Sequence, residues 1–578
     1  AETKQGYEKF RSTTIDDVRD QDFVDWKGRA AVKGKHGGIR ATIFIYAAET
    51  LENFAFLGNG VNLVTYFHRV MHYDLKDSSN VLTNYMGTAF LLALFGAFIS
   101  DSFITRFHTN IIFASVELIG YILLTVQAHD PSLRPPGCDI LNPAMNCKHV
   151  EGKNSAVFYM GMYLVALGTG GLKAALPTMG AEQFDDKDPK ESRKISSFFN
   201  WFFFSITVGA GIGVTLLVWI QGSKGWDWAF GISVGAFVLV ILILLSGTTK
   251  YRNQVPRGSP LTKILQVVVA AIRNRNLPLP DNAAELNESG EKELVQNTQQ
   301  FRFLDKAAIV SRGSSVRPWR MCTVTEVEQV KMLIRMAPIF GSTVMVSTCL
   351  AQLQTFSVQQ GMTMNTHIGS FNLSPATLTI IPLIILVILT PLYDLVFVPF
   401  ARRITGQEQG ITTLQRIGVG LVLAATSMVV AAAVEVKRKG VALDHGMLDA
   451  IPVLQPLPIS VMWLVCQYLV FGIADLFTVV GLLEFFYTQS HSSMKSMGTA
   501  ITWCVMSLGY FLSTVVVDVV NKASGGWLHG NNLNRNHLNL FYWTVALLSF
   551  INFLNFLYWA RWYKYKPLAH PKFVDNAA

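Results

Sequence analysis

The stretch Ile39-Arg-Ala-Thr-Ile-Phe-Ile-Tyr-Ala-Ala-Glu49-Thr-Leu-Glu52-Asn53-Phe-Ala-Phe-Leu-Gly-Asn-Gly-Val-Asn62-Leu-Val-Thr-Tyr66 reads as a membrane-crossing helix, yet it carries two carboxylates and an amide near its middle. A spanning helix needs about 20 predominantly apolar residues to cover a hydrocarbon core of roughly 30 Å. A charged carboxylate at the bilayer centre costs roughly 2.5 to 3.5 kcal/mol on an insertion scale, so such residues face a cavity or a partner and carry function. Residues three and four apart share a helix face, which projects Glu49, Glu52 and Asn53 together. Much of the remaining chain reads as a pocket around that face.

The 578-residue chain is 51% hydrophobic and 15% charged, a membrane composition. Twelve apolar stretches, at approximately 39–66, 80–104, 107–128, 155–178, 198–220, 226–247, 328–358, 374–398, 412–435, 457–486, 497–521 and 538–562, predict an all-α membrane protein. They divide into a first six-helix bundle (39–247), a linker (248–327) and a second six-helix bundle (328–562), with tails at 1–38 and 563–578. The first forty residues are too polar for a cleavable signal peptide, which places the N-terminus in the cytosol. Lys27, Arg29, Lys33, Lys35 and Arg40 before the first span, together with Lys190, Arg193, Lys194, Arg252, Arg257, Arg273, Arg275, Arg402 and Arg403 in later loops, put both termini inside. Lys437-Arg438-Lys439 is a counter-signal, because the same count leaves it outside.

Within the linker, Leu261–Arg273 is amphipathic and is expected to lie along the inner membrane surface. Asn276–Gln300 is poor in apolar residues and predicts disorder. Its Asn287-Glu-Ser289 glycosylation pattern would go unused in the cytosol. Cys138 and Cys147 lie in the 3–4 loop, on the oxidising side, and form the candidate disulfide. The remaining cysteines have no metal-ligand spacing and read as packing residues.

Inside-biased charge accounts for the formal net charge of +9, so a nucleic-acid partner is unnecessary. No zinc-protease, nucleophile-elbow or Walker A pattern occurs, which predicts neither an enzyme nor a cofactor or metal site, and transport driven by a gradient rather than by ATP. Six spans, a linker and six spans describe the major facilitator fold, whose substrate site lies near the midplane between its halves. Gly96-Ala-Phe-Ile-Ser-Asp101-Ser-Phe-Ile-Thr-Arg106 resembles the facilitator loop motif, which implies that Asp101 and Arg106 brace neighbouring helix ends and gate the protein.

Asn84-Tyr-Met-Gly-Thr88, Leu167-Gly-Thr-Gly-Gly-Leu-Lys173, Gly180-Ala-Glu-Gln-Phe-Asp185, Phe198-Phe-Asn-Trp-Phe-Phe-Phe204, Leu414-Gln-Arg-Ile-Gly418 and Leu483-Glu-Phe-Phe-Tyr487 are together similar to the plant nitrate and peptide transporter family, part of the proton-coupled oligopeptide transporters. Glu49-x-x-Glu52-Asn53 and the tail from Trp527 to Trp543 most resemble its fourth subfamily, which includes importers of abscisic acid and gibberellins.

The resemblance implies that Glu49 and Glu52 take up protons, and that Lys173 on span four pairs with an acid on span ten, here Asp475. The family usually has arginine where this chain has Asn53, so the two carboxylates lose their nearest cation and become better proton acceptors. The bland alternatives are protonated packing groups for the glutamates and a static bridge for Lys173. Some nitrate-carrying relatives have histidine where this chain has Leu350, and leucine supplies no donor to a small anion. Gln352 and Gln354 offer neutral hydrogen bonds, and Asn62, Tyr66, Tyr85, Phe204, Trp463, Glu484 and Trp503 are expected to complete the pocket.

The expected protein is a proton-coupled importer of an amphipathic weak-acid hormone, abscisic acid or a gibberellin, in the plasma membrane or the vacuolar membrane. Its partners are the organic acid, protons and the bilayer, and it is expected to act as a monomer, with a dimer left open. Nitrate transport and a sensor with little flux are the alternatives.

Overall fold

The structure is a computed structural model and describes residues 23–32, 35–138, 147, 152–185, 189–254, 258, 260–280, 286–287, 298–309, 319–369, 371–406, 410–452, 454–489 and 497–563. The first bundle contains α1 (Ile39–Gly60), α2 (Leu75–Ser102), α3 (Arg106–His129), α4 (Gly152–Ala181), α5 (Pro189–Ser223) and α6 (Trp226–Ser246). The second contains α7 (Val324–Gln354), α8 (Ile380–Leu392), α9 (Thr413–Asp444), α10 (Val465–Gln489), α11 (Met497–Ala523) and α12 (Leu538–Trp562). Each bundle closes on its own apolar core, centred on residues such as Phe56, Tyr121 and Phe230 in the first and Ile417, Phe471 and Phe541 in the second.

Eleven helices among the described residues are long and apolar enough to cross a membrane. The twelfth is α1, whose 22 residues extend about 33 Å at 1.5 Å per residue. Glu49, Glu52, Asn53 and Asn59 interrupt its apolar run, which keeps it out of those eleven.

The bundles meet mainly through α2 and α11. At one end Asn80 donates to Asp518 at 2.9 Å and Lys76 pairs with the same carboxylate at 3.2 Å. One turn deeper the Thr83 and Thr514 hydroxyls meet at 2.7 Å, and deeper still Ser507 donates to the Gly87 carbonyl at 2.6 Å. Polar contacts thus join the halves from the disulfide end, where Cys138 and Cys147 are bonded, to the middle.

The linker differs from expectation in two ways. Its helix Pro260–Arg273 turns Val267, Ala270 and Ala271 onto Leu304, Ala307 and the first turns of α7, so that face is covered by protein rather than lipid. Leu286, inside the stretch predicted to be disordered, is buried in the same small core, and Thr298 donates backbone and hydroxyl hydrogens to Glu328 at 2.9 and 2.8 Å. Lys331, fully buried, joins Glu328 and Asp305 at 2.7 Å each and anchors the linker to α7. Residues 281–285 and 288–297 of that stretch, with the glycosylation pattern beyond Asn287, residues 1–22 of the N-terminal tail and 564–578 of the C-terminal tail lie outside the described residues.

The basic run at 437–439 is held in part by the fold. Arg438 is fully buried and bidentate to Glu435 one turn earlier, at 2.7 Å through both Nε and Nη2. Its remaining donor satisfies Thr363 and Asn534, while Lys439 donates to the Asn536 carbonyl and Lys437 lies 3.4 Å from the Trp463 ring centroid. Arg438 is thus neutralised inside the fold and Lys439 is half-buried, whereas Lys437 stays exposed.

Removing one member of such a pair strands a buried charge at roughly 3 to 5 kcal/mol, whereas replacing both is far milder. Arg438→Met is therefore expected to melt well below wild type, and Glu435→Gln/Arg438→Met above that single variant, in a thermal-shift assay of purified protein. Equal melting of the single and double variants would remove the pair from the stability of this end.

Candidate functional site

The turn Glu49–Asn53 is placed by close helix crossings. A Cβ on Gly209 of α5 would stand 2.1 Å from the Thr50 carbonyl oxygen, and one on Gly171 of α4 would stand 2.0 Å from the Phe113 ring. Only hydrogen fits at either position, so α5 lies close on α1 and α4 close on α3, and Lys173 on α4 faces the glutamates. Lys173 Nζ donates to Glu52 Oε2 and to Asn53 Oδ1, each at 2.7 Å, and stands 3.6 Å from Glu49 Oε1. The Asn53 amide completes the ring by donating to Glu49 Oε1 at 2.8 Å. None of the four side chains is more than 4% exposed.

Two expectations change here. The glutamates are not left without a cation, because Lys173 and Asn53 divide between them the role expected of the arginine. Lys173 does not pair with Asp475, which has no hydrogen-bond or ion-pair partner among the described residues. Asp475 instead lines a cavity of about 240 Å³ between the bundles, and Lys173 and Asn53 line it from the other half.

The cavity walls are mostly apolar. Phe90 stacks on Trp503 at 5.2 Å, and Lys173 Nζ lies 5.9 Å from both the Phe56 and Trp503 ring centroids, inside the range of cation–π attraction. Leu350 and Gln354 face the cavity, and Tyr510 donates to Gln354 Oε1 at 2.5 Å. The structure brings together Asn53, Lys173, Leu350, Gln354, Asp475 and Trp503.

The other residues expected in the pocket lie elsewhere. Asn62 donates to Gln221 at 2.8 Å and Tyr66 to Gln127 at 2.5 Å, both within the first bundle. Tyr85 is buried behind Phe56. Phe204 does not line the cavity, whereas its neighbour Phe203 does, although the two are similarly exposed. Gln352 donates to Ser513 at 2.8 Å and braces α7 against α11. Trp463 sits on the short turn Val461–Leu464, under Lys437.

Glu484 pairs with Arg416 at 3.2 Å near the ends of α10 and α9, away from the cavity. That pair repeats one in the first bundle, where Arg106 at the start of α3 contacts Glu182 just after α4 and also Asp101 at 2.9 Å. Sequence reasoning missed Glu117, a fully buried carboxylate on α3. The signal that found Glu49, an ionisable residue inside an apolar span, marks it equally.

A family model described as the POT family, PTR2, matches residues 107–532. Protein NRT1/PTR FAMILY 4.6 of Arabidopsis thaliana is 45% identical over 574 residues, covering 94% of this chain and 97% of its own. Protein NRT1/PTR FAMILY 4.5 of the same plant is 47% identical over 554 residues, covering 94% and 96%. A two-bundle membrane fold with a buried ion cluster beside a central cavity is that of a major facilitator transporter. The chain belongs to the POT family in its NRT1/PTR branch, a family of multi-pass membrane transporters. The crystal structure of an auto-inhibited POT family peptide transporter shares the fold, with a TM-score of 0.67 at 18% identity, covering 92% of this chain and 99% of that one. A POT family transporter in complex with 5-aminolevulinic acid gives 0.61 at 13%, covering 91% and 98%.

Overpacking a close helix crossing costs about 1 to 3 kcal/mol. Gly209→Ala, whose methyl meets the Thr50 backbone, is expected to lower the melting temperature and the yield of monodisperse protein. Gly211→Ala meets only Ile380 Cδ1 at 3.4 Å and is expected to match wild type. Equal behaviour of the two would contradict the crossing.

Proposed function

We propose that this protein is a proton-coupled importer of an amphipathic weak acid, abscisic acid or a gibberellin, working by alternating access. The observation that carries the reading is a single ammonium, Lys173, set in the wall of an otherwise largely apolar and aromatic cavity and held there by Glu52 and Asn53. A proton arriving on Glu52 cancels the charge that holds Lys173. The released ammonium then attracts the substrate carboxylate, and Phe56, Phe90, Trp503 and Leu350 cover the hydrocarbon rings. Asp475, across the cavity, accepts a hydroxyl hydrogen from the substrate or takes a second proton. The polar seam between α2 and α11 separates when the cavity opens to the disulfide end.

Leu350 supports an apolar-bodied substrate over nitrate, because leucine offers no donor to a small, strongly hydrated anion. The family resemblance and inside-biased charges support a plasma-membrane monomer with cytosolic termini; the vacuolar membrane is the alternative site.

The test is uptake of labelled abscisic acid, gibberellin and nitrate into oocytes or proteoliposomes at acid and at neutral outside pH. Uptake of one hormone is expected to rise on the acid side. Glu52→Gln is expected to lose that rise, and Lys173→Gln to lose uptake while still reaching the membrane. Uptake indifferent to the proton gradient removes symport, preference for nitrate overturns the substrate class, and binding with no accumulation turns the protein into a sensor.

A further inference from the structure

Glu117 takes no part in the mechanism above, yet it is as buried as the glutamates that do. Its Oε1 accepts a hydrogen bond from Thr169 Oγ1 at 2.8 Å, and its Oε2 has no partner among the described residues. Thr169 stands one turn before Lys173 on α4, so Glu117 is tied to the helix face that presents the shared ammonium. The charged and titratable groups around it are Glu49 and Glu52 from α1, Tyr85 from α2, Lys173 from α4, and Tyr121 on its own helix.

Counting formal charges in this interior, Glu49, Glu52 and Glu117 face one ammonium, and position 53 between them is a neutral amide. A buried carboxylate without a counter-charge is not sustained in a membrane bundle. Two of the three therefore hold protons while Lys173 is charged. Glu52 has the ammonium at 2.7 Å, and Glu49 has the Asn53 amide with the ammonium at 3.6 Å. Glu117 has a single hydroxyl donor and an oxygen free to carry hydrogen.

We infer that Glu117 is a third proton-carrying residue of the cluster, exchanging its proton with Glu52. In the exchange one O–H bond breaks on Glu117 and one forms on Glu52, and the negative charge moves from Glu52 to Glu117. The net charge of the interior is unchanged: Lys173 is released from Glu52 and remains the cation that faces the ionised Glu117.

The inference rests on the proton-coupled reading, and two measurements separate their failures. Infrared difference spectra of the full chain in nanodiscs, taken between acid and neutral pH, need no substrate. Wild type is expected to show a titrating protonated-carboxyl band that Glu117→Gln lacks, and Glu117→Asp is expected to restore it at a shifted frequency. Thr169→Val, which removes the donor to Glu117, is expected to move the same band and serves if Glu117→Gln does not fold. In proteoliposomes, Glu117→Gln is expected to cut gradient-driven abscisic acid uptake by about tenfold or more while leaving gradient-free exchange within about twofold. Carboxyl bands identical in wild type and Glu117→Gln, or an unaltered pH profile of uptake, make Glu117 a permanently neutral packing group and overturn the inference. Absence of abscisic acid uptake by wild type overturns the transport reading for that acid, and the infrared spectra still decide Glu117.

Discussion

Lys173 is the one cation on which the interior of the first bundle depends. Ionisable groups are excluded from lipid unless a partner or a cavity receives them, and this ammonium receives Glu52 and Asn53 directly and Glu49 at longer range. The arrangement demands close helices. The glycines of α4 and α5 supply them, because a single added carbon at Gly171 or Gly209 would meet a neighbouring ring or carbonyl. Site chemistry and helix packing are here a single constraint.

The two halves contribute unequally to the cavity. The first brings a charged cluster that is already internally compensated, whereas the second brings an uncompensated Asp475, amide and hydroxyl groups, and the larger share of apolar wall. A substrate entering this space meets a neutral ion pair on one side and an acceptor on the other. Transport follows if substrate and proton together rearrange the first side.

The architecture and the chemistry of α1 were legible because ionisable residues stand out against apolar runs, and the motifs that carry the family resemblance lie in the same spans. Partnerships were less legible, since sequence spacing along one helix says nothing of the rotation of another. Phe203 and Phe204 differ by one residue, about 100° around a helix, which decides which of them lines the cavity. Glu484 was misplaced for a different reason: its apolar neighbours put it inside a span, while its partner Arg416 lies 68 residues earlier and holds it near the helix end. Charge counting at 437–439 assumes solvated side chains, and Arg438 is fully buried.

The distribution of polar contacts also divides the molecule mechanically. Arg106 with Asp101 and Glu182, Arg416 with Glu484, and Arg438 with Glu435 each lie within one bundle. The linker, through Lys331, travels with the second bundle. Each pair braces its own half. The α2–α11 seam is the joint, built from hydroxyls, amides and a half-exposed carboxylate rather than from buried ion pairs. Contacts of that kind separate at low cost because water can replace them, whereas a buried ion pair broken in lipid strands its charges.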